Sequence, residues 1–333
     1  MAQASATMIN PDRFMGKSVM VTGGGGSIGL AICEALIRAN VLRRLILVSL
    51  SESALYNGLR HLRSFGGDTV LTPLLGHCRD PRIGHRYLPH MDVVIHAAAH
   101  KHLPLCEGDP LAAIDNNALA TWDLACMAVE HGVPEFVAIS TDKAVAPTSV
   151  LGATKRLAEL LLRDRACNSG TVFRVVRFGN VLDSAGSVLP LWREQIAAGG
   201  PLTITDRRCT RYFMTVQDAV ALVLGAMEAD TCGGLYVLDM GERRAIGDLA
   251  RELMKEMGRT VKIKEIGLRP GEKLHEEITA AAVVHPTAQP RVLRVAEAAT
   301  PITIANYTDL RRAVERNDAE AALKLLWAMI GEG

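Results

Sequence analysis

The sequence predicts an α/β fold: a doubly wound parallel sheet followed by a smaller C-terminal α/β lobe. Three observations predict it. Short apolar strands alternate with helical segments through the first half of the chain. A glycine run follows the first of these strands and leads directly into a helix. From about Leu182 the alternation gives way to short helices, Gly/Pro turns and small strands.

Residues 17–22 (KSVMVT) read as a short buried strand, ended by Gly23. Residues 30–38 carry helical periodicity, and residues 45–48 (LILV) form a second apolar strand. Residues 56–65 are helical and closed by Gly66 and Gly67; residues 70–75 are a third strand. The fourth strand, 92–96 (DVVIH), ends in Ala97, Ala98 and Ala99. Residues 112–131 read as one long helix, stopped by Gly132 and Pro134. A fifth strand (135–140), a helix (151–165) and a sixth strand (172–177) complete the pattern. Right-handed crossovers then bring the strand C-termini to one edge, where ligands bind. The expected division is an arm at 1–16, a nucleotide-binding domain at 17–181 with 212–240 returning to it, and a substrate lobe at 182–211 and 241–333.

Composition narrows the function. At 333 residues the chain is long enough for about two domains and buries a core without disulfides or a structural metal. The 37 basic and 36 acidic residues leave a net charge of +1, which argues against a nucleic-acid coat or a membrane-surface protein. Aromatics at 4% give no stacking platform for single strands. The 7 cysteines are irregularly spaced with no CxxC, so they read as reduced thiols of a cytosolic protein. No zinc-type spacing occurs; His96, His100 and His102 read as strand-end and loop residues beside a pocket, and no metal is expected. The N-terminus lacks an apolar signal core, and no apolar run approaches the roughly 20 residues of a membrane span. A soluble, cytoplasmic protein is expected.

Gly23, Gly26 and Gly29 stand in GxxGxxG spacing between a strand and a helix, with Ser27 and Ile28 inside the motif. Glycines admit the tight turn and the close approach of a pyrophosphate, and the helix N-terminus offers free N–H groups to the anion. The fold is therefore Rossmann-like, and the spacing resembles that of the short-chain dehydrogenase/reductase superfamily. Ala97 and Ala98 belong to the same edge. Ser49 replaces the carboxylate that usually ends the second strand, which favours NADP over NAD, with Arg43, Arg44 or Arg60 as possible partners of a 2′-phosphate. Asp80 or His77, after the third strand, stands near the adenine.

The fifth strand ends in Ser140-Thr141-Asp142-Lys143, and Leu151-Gly152-Ala153-Thr154-Lys155 follows. The superfamily usually has YxxxK here, with Lys on the nicotinamide ribose; this chain has Lys155 but Leu151 at the tyrosine position. Leucine carries no proton. An acid and a base side by side at Asp142 and Lys143 suit an elimination better than a simple hydride transfer.

The segments IHAAAHKHLPLCEGDP, NNALAT, ISTDKAVAPTSVLGATKRLAE, VRFGNVL, TRYFMT, VLDMGE and GLRPGEKLHEE resemble the nucleotide-sugar 4,6-dehydratase family of extended short-chain dehydrogenases, over residues 17–277. Leu151 resembles the configuration-retaining members, often membrane-anchored, which carry methionine there. No counterpart of their membrane region is expected in this chain, which reads as a free-standing catalytic domain. The resemblance implies formation of UDP-4-keto-6-deoxy-N-acetylglucosamine with a recycled cofactor. Asp142 is then the acid at C6, with a raised pKa. Lys143 is the base at C5, its pKa lowered by burial or by Lys155, and Thr141 positions the sugar. Lys101, Glu107 and Asn180 fall near the sugar, and Arg211, Arg269 and Glu272 near the UDP. It also implies a homodimer or higher oligomer through helices 112–131 and 151–165. His77, Asp183 and Ser49 depart from the family pattern. The rival readings are a UDP-sugar 4-epimerase or oxidoreductase and a non-catalytic NADP-binding protein.

Overall fold

Strand β1 (Ser18–Thr22) is buried along its whole length, as a central parallel strand covered on both faces must be. In this computed structural model, residues 10–166, 169–229, 231–280, 283–297 and 304–331 are described. Residues 1–9 of the expected arm and Cys167 lie outside them. β2 (Arg44–Ser49), β3 (Val70–Leu75), β4 (Val93–His96), β5 (Glu135–Thr141) and β6 (Val172–Phe178) join β1 in one sheet, with Gly234–Leu238 beyond β6. The order β3-β2-β1-β4-β5-β6 is parallel throughout. The chain reverses direction of winding between β1 and β4, and this switch opens a crevice at the strand C-termini. One core, with Ile32, Leu36 and Val223, packs one face; another, with Leu124, Phe136 and Phe173, packs the other.

Among the described residues the sheet has 9 strands because the segment expected in the substrate lobe returns to it. Val292–Val295 runs antiparallel to Gly234–Leu238, and Val284–Pro286 pairs outside it. Val292 and Val295 seat in the two sheet cores, which is why the segment lies there and not in the lobe. The helices Ile304–Glu315 and Ala319–Ile330 also leave the lobe. Leu310, Ala322 and Leu326 pack onto Ile114, Leu119, Ala153, Leu157 and Leu161. The C-terminal helices thus cover part of the surface of helices 112–131 and 151–165, the segments expected to pair with a second subunit.

What remains of the lobe is small. Val188–Ala197 and Ile246–Glu256 pack around Trp192, Ile196 and Leu253, beside a parallel pair of Leu202–Ile204 with Ile263–Glu265. Val216–Ala226 lies on the sheet core of the first domain. No helix among the described residues is long and apolar enough to cross a membrane.

Candidate active site

A cavity of about 590 Å³ opens at the switch point. Gly23, Gly26, Ser27, Ile28 and Gly29 line one wall, Ser49 the far end, and Ala97 and Ala98 the floor. The glycine requirement is steric. Gly23 has φ +67°, and a Cβ there would lie 2.8 Å from the Ala97 carbonyl carbon. A Cβ on Gly29 would lie 2.2 Å from the Gly23 oxygen. The helix Ser27–Ala39 starts at Gly26 with no side-chain cap, so its first N–H groups are left for an anion. This cradle fits the pyrophosphate of a dinucleotide.

Asp80, Arg43 and Arg44 depart from the expectation at the adenosine end. Asp80 does not line the cavity; it caps the helix Pro81–Tyr87, accepting from Arg82 N at 2.9 Å, and His77 and Cys78 line the wall instead. Asp before Pro at a helix start is a capping arrangement, which explains the diversion. Arg43 and Arg44 stand at the N-terminal end of β2, opposite Ser49, and Arg43 bonds Ser18 Oγ at 3.1 Å. Arg60 is exposed on the helix Glu52–Arg63.

The loop after β4 is held from below. The expected single helix at 112–131 is Pro110–Ile114, a wide π turn at Asp115–Leu119, then Ala120–Glu130. In the π turn Asn117 accepts from His100 N at 2.8 Å and donates to His100 O at 3.0 Å, so its amide clamps the loop. Asn116 beside it lines the cavity. His96 is sealed between Thr22 Oγ1 (2.7 Å) and Thr121 Oγ1 (2.8 Å), and burial drops its pKa to about 3. It is a neutral core residue. Lys101 lines the cavity, donates to the Ala185 carbonyl, and has its pKa lowered by burial.

The chemistry-bearing group sits at the end of β5. Thr141 and Lys143 line the cavity, and Asp142 is wholly buried beneath them. Lys143 Nζ donates to Asp142 Oδ1 at 2.9 Å and to Asn180 Oδ1 at 3.4 Å, while Thr141 Oγ1 donates to Asp142 Oδ1 at 2.9 Å. Asp142 Oδ2 is buried without a partner. The expected lowering of Lys143 is reversed. Burial works against its ammonium, but the hydrogen-bonded Asp142 and, when ionised, Glu276 outweigh burial and raise its pKa. Lys155, like Lys101, is depressed: it is buried on the helix Val150–Ala166 and lowered to about 8 by desolvation. Lys155 and Leu151 both line the cavity. Beneath them Glu159 accepts from Ser140 Oγ at 2.5 Å and from Arg177 Nε at 2.7 Å; Arg177 also reaches Glu297 at 3.1 Å.

The remaining sugar and UDP residues divide. Glu107 Oε1 accepts from Val150 N at 2.7 Å and so caps the Lys155 helix. Arg211 is 2% exposed and donates to the carbonyls of Thr210, Lys273 and Leu274 at 2.8–3.0 Å, and to Glu272 at 3.4 Å. Glu272 also accepts from Arg269 N at 3.1 Å. Arg211 and Glu272 therefore brace the 269–276 loop, while Arg269, of the same expected UDP set, is exposed. Asp183 (φ +55°) pairs with Arg193 and does not line the cavity.

Sequence reasoning passed over Asn117 and Glu276. An adjacent asparagine pair inside an apolar helix and a doubled glutamate after the loop were the available signals. Among the described residues one trio, His85, Glu130 and His131, brings metal-type ligand atoms within 4.8 Å of one another, outside this cavity.

The sequence matches the family described as polysaccharide biosynthesis protein over residues 19–297. The chain belongs to that family. It is 42% identical over 279 residues to the capsular polysaccharide biosynthesis protein CapD of Staphylococcus aureus, a match covering 81% of this chain and 46% of CapD. Bacillus subtilis EpsC is 43% identical over 282 residues, covering 82% and 47%. The chain spans about half the length of these two curated relatives. Other relatives, of similar span, carry enzymatic names, and two represent the two activities named. One is the inverting UDP-N-acetylglucosamine 4,6-dehydratase of Campylobacter jejuni, 33% identical and covering 82% of this chain and 80% of that one. The other is the UDP-glucose 4-epimerase of Rickettsia canadensis, 36% identical and covering 80% and 79%. Among solved structures, Pen from Bacillus thuringiensis superposes with a TM-score of 0.78 at 31% identity, covering 85% of this chain and 88% of Pen. The fold is that of the extended short-chain dehydrogenases, in a family of nucleotide-sugar 4,6-dehydratases and 4-epimerases.

Proposed function

We propose that this chain is a UDP-N-acetylglucosamine 4,6-dehydratase that retains configuration at C5. The observation that carries the reading is the Asp142–Lys143 pair at the reacting edge of the dinucleotide crevice, with Leu151 where a phenol would stand. A bound nicotinamide dinucleotide, NADP in this proposal with NAD as the alternative, supplies hydride acceptance from C4 and return to C6, leaving no net redox change. Ser49 sets no carboxylate against a 2′-phosphate, which supports NADP.

One proton moved along the Lys143–Asp142 hydrogen bond turns an ammonium and a carboxylate into an amine and a carboxylic acid. The amine takes the C5 proton, and the acid protonates the departing C6 hydroxyl. Water leaves with both protons accounted for. Lys143 then returns its proton to the same face of C5, which retains the configuration. Lys155, with its pKa near 8, is the remaining crevice base for the C4 hydroxyl. Thr141 holds Asp142 and faces the sugar, and Lys101 and Asn180 flank it.

The test is incubation with UDP-N-acetylglucosamine and either cofactor in D2O. Loss of water with deuterium at C5 in the gluco-derived configuration supports the reading. Asp142→Asn should abolish that loss while cofactor binding persists. The epimerase-named relatives favour a second reading, 4-epimerisation, which conserves product mass. Unchanged sugar would leave a protein that binds cofactor without turnover.

A further inference from the structure

We propose that Glu276 carries a proton in the working enzyme and so keeps the Asp142–Lys143 pair convertible between its ionic and neutral forms. The inference rests on the dehydratase reading above.

The 269–276 loop is laid directly over the turn that follows Lys143. Lys273 Nζ donates to the carbonyls of Val145 (2.8 Å) and Ala146, and Thr148 Oγ1 donates to Gly271 O at 3.1 Å. Arg211 grips the Lys273 and Leu274 carbonyls, and His275 bridges to Thr210. With His275 exposed, the next side chain turns inward, and Glu276 is 1% exposed. Its Oε2 has no hydrogen-bond partner, as Asp142 Oδ2 has none, and the two carboxyls and Lys143 act on one another electrostatically.

A buried carboxylate with a bare oxygen is costly, and two beside one another cannot both ionise freely. The available cations are already committed. Lys143 is paired to Asp142, Arg211 to Glu272 and to carbonyls, and Lys273 to carbonyls. Arg243 reaches only the Glu276 backbone oxygen, at 3.5 Å. Burial raises the Glu276 pKa and Asp142 adds to this, while Lys143, Arg211 and Lys273 oppose without reversing it. A proton on Glu276 leaves Lys143 facing only the Asp142 carboxylate, with no second anion to hold the proton on its amine. An ionised Glu276 would instead hold the proton on Lys143 and block its use as a base. Glu276 is a positioning residue, acting through Lys143.

Glu276→Gln copies the protonated carboxyl. We expect its dehydration rate at neutral pH to stay within about threefold of wild type. We also expect the alkaline fall due to Glu276 to disappear from its pH profile. Glu276→Asp keeps an ionisable group and should keep that fall at a displaced pH. As a readout independent of turnover, ¹³C-methylated lysine NMR should show Lys143 titrating at lower pH in the Gln variant than in wild type. A folded Gln variant inactive at every pH, or an unchanged Lys143 titration, overturns the proposal. If the Gln variant does not fold, an Asp variant whose alkaline fall is unmoved overturns it. Failure of wild type to release water from UDP-N-acetylglucosamine defeats the dehydratase reading, and the lysine titration still decides the ionisation of Glu276.

Discussion

Gly152→Ala separates helix propensity from site geometry. Gly152 lies in the Lys155 helix, against the turn that carries the acid–base pair. A Cβ there would stand 2.2 Å from the Lys143 carbonyl oxygen and 3.1 Å from its carbonyl carbon. Ordinary contact starts at 3.4 Å, so helix and turn must part by about 1.2 Å (3.4 less 2.2). Both atoms are backbone and cannot rotate aside. Alanine gains about 1 kcal/mol over glycine in a helix interior. Overpacking of this kind costs about 1–3 kcal/mol. The net cost is then about 0–2 kcal/mol, so the melting temperature should fall by no more than about 5 °C. The two effects do not offset one another in function, because a misplacement of about 1 Å at reacting groups costs on the order of 10²-fold in rate. The assays are a thermal melt, cofactor titration by fluorescence, and turnover of the UDP-sugar by proton NMR. Turnover should fall about 100-fold with cofactor affinity within about threefold. An alanine variant with wild-type turnover and a raised melting temperature would refute the packing argument.

Three further predictions follow from buried charge and from the hairpin. Lys155→Met removes an ammonium whose folded pKa, about 8, is below its unfolded value. That depression destabilises the native state fully below about pH 8 and fades as pH rises through the unfolded lysine pKa of about 10.4, so the variant should melt higher at pH 7 by an order of about 3 kcal/mol, a gain shrinking above pH 8 in calorimetry, with turnover lost. Arg177→Met leaves the buried Glu159 carboxylate with only Arg156 and Ser140 as partners and should cost about 3 kcal/mol in urea unfolding; a loss under about 1 kcal/mol would remove the network from the list of stabilising elements. Deleting residues 304–331 bares Ile114, Leu119, Leu157 and Leu161, so light scattering should show self-association, and a monodisperse product with an unchanged melt would contradict the packing.

The legible parts of the fold were those that local sequence decides. β1, β4, β5 and β6 are apolar runs because both their faces are covered, and turns punctuate them. Val284–Pro286 is exposed and three residues long, so nothing local marks it as a strand; pairing with Val292–Val295 recruits it. The glycine cradle and the Asp142–Lys143 pair were legible because each is contiguous in the chain. Arg43 and Arg44 misled because proximity in sequence is not proximity along a strand: at about 3.3 Å per residue, they lie well over a dozen ångströms from Ser49. Asn117 and Glu276 act on groups far from them in sequence. Their roles come from a widened helical turn and from a loop stapled across the site, neither of which has a compositional signature.

The C-terminal hairpin has a consequence for the route by which the protein folds. The cradle wall is made of near neighbours: β1, the glycine turn and the following helix close over few residues. The helix with Lys155 ends at Ala166, yet part of its apolar cover begins only at Ile304. Contacts of such separation are entropically late to form. Nucleotide recognition can thus be assembled while the reacting half is still unpinned. Loosening the hairpin would return the molecule to that stage, able to hold a dinucleotide with its lysine helix half uncovered.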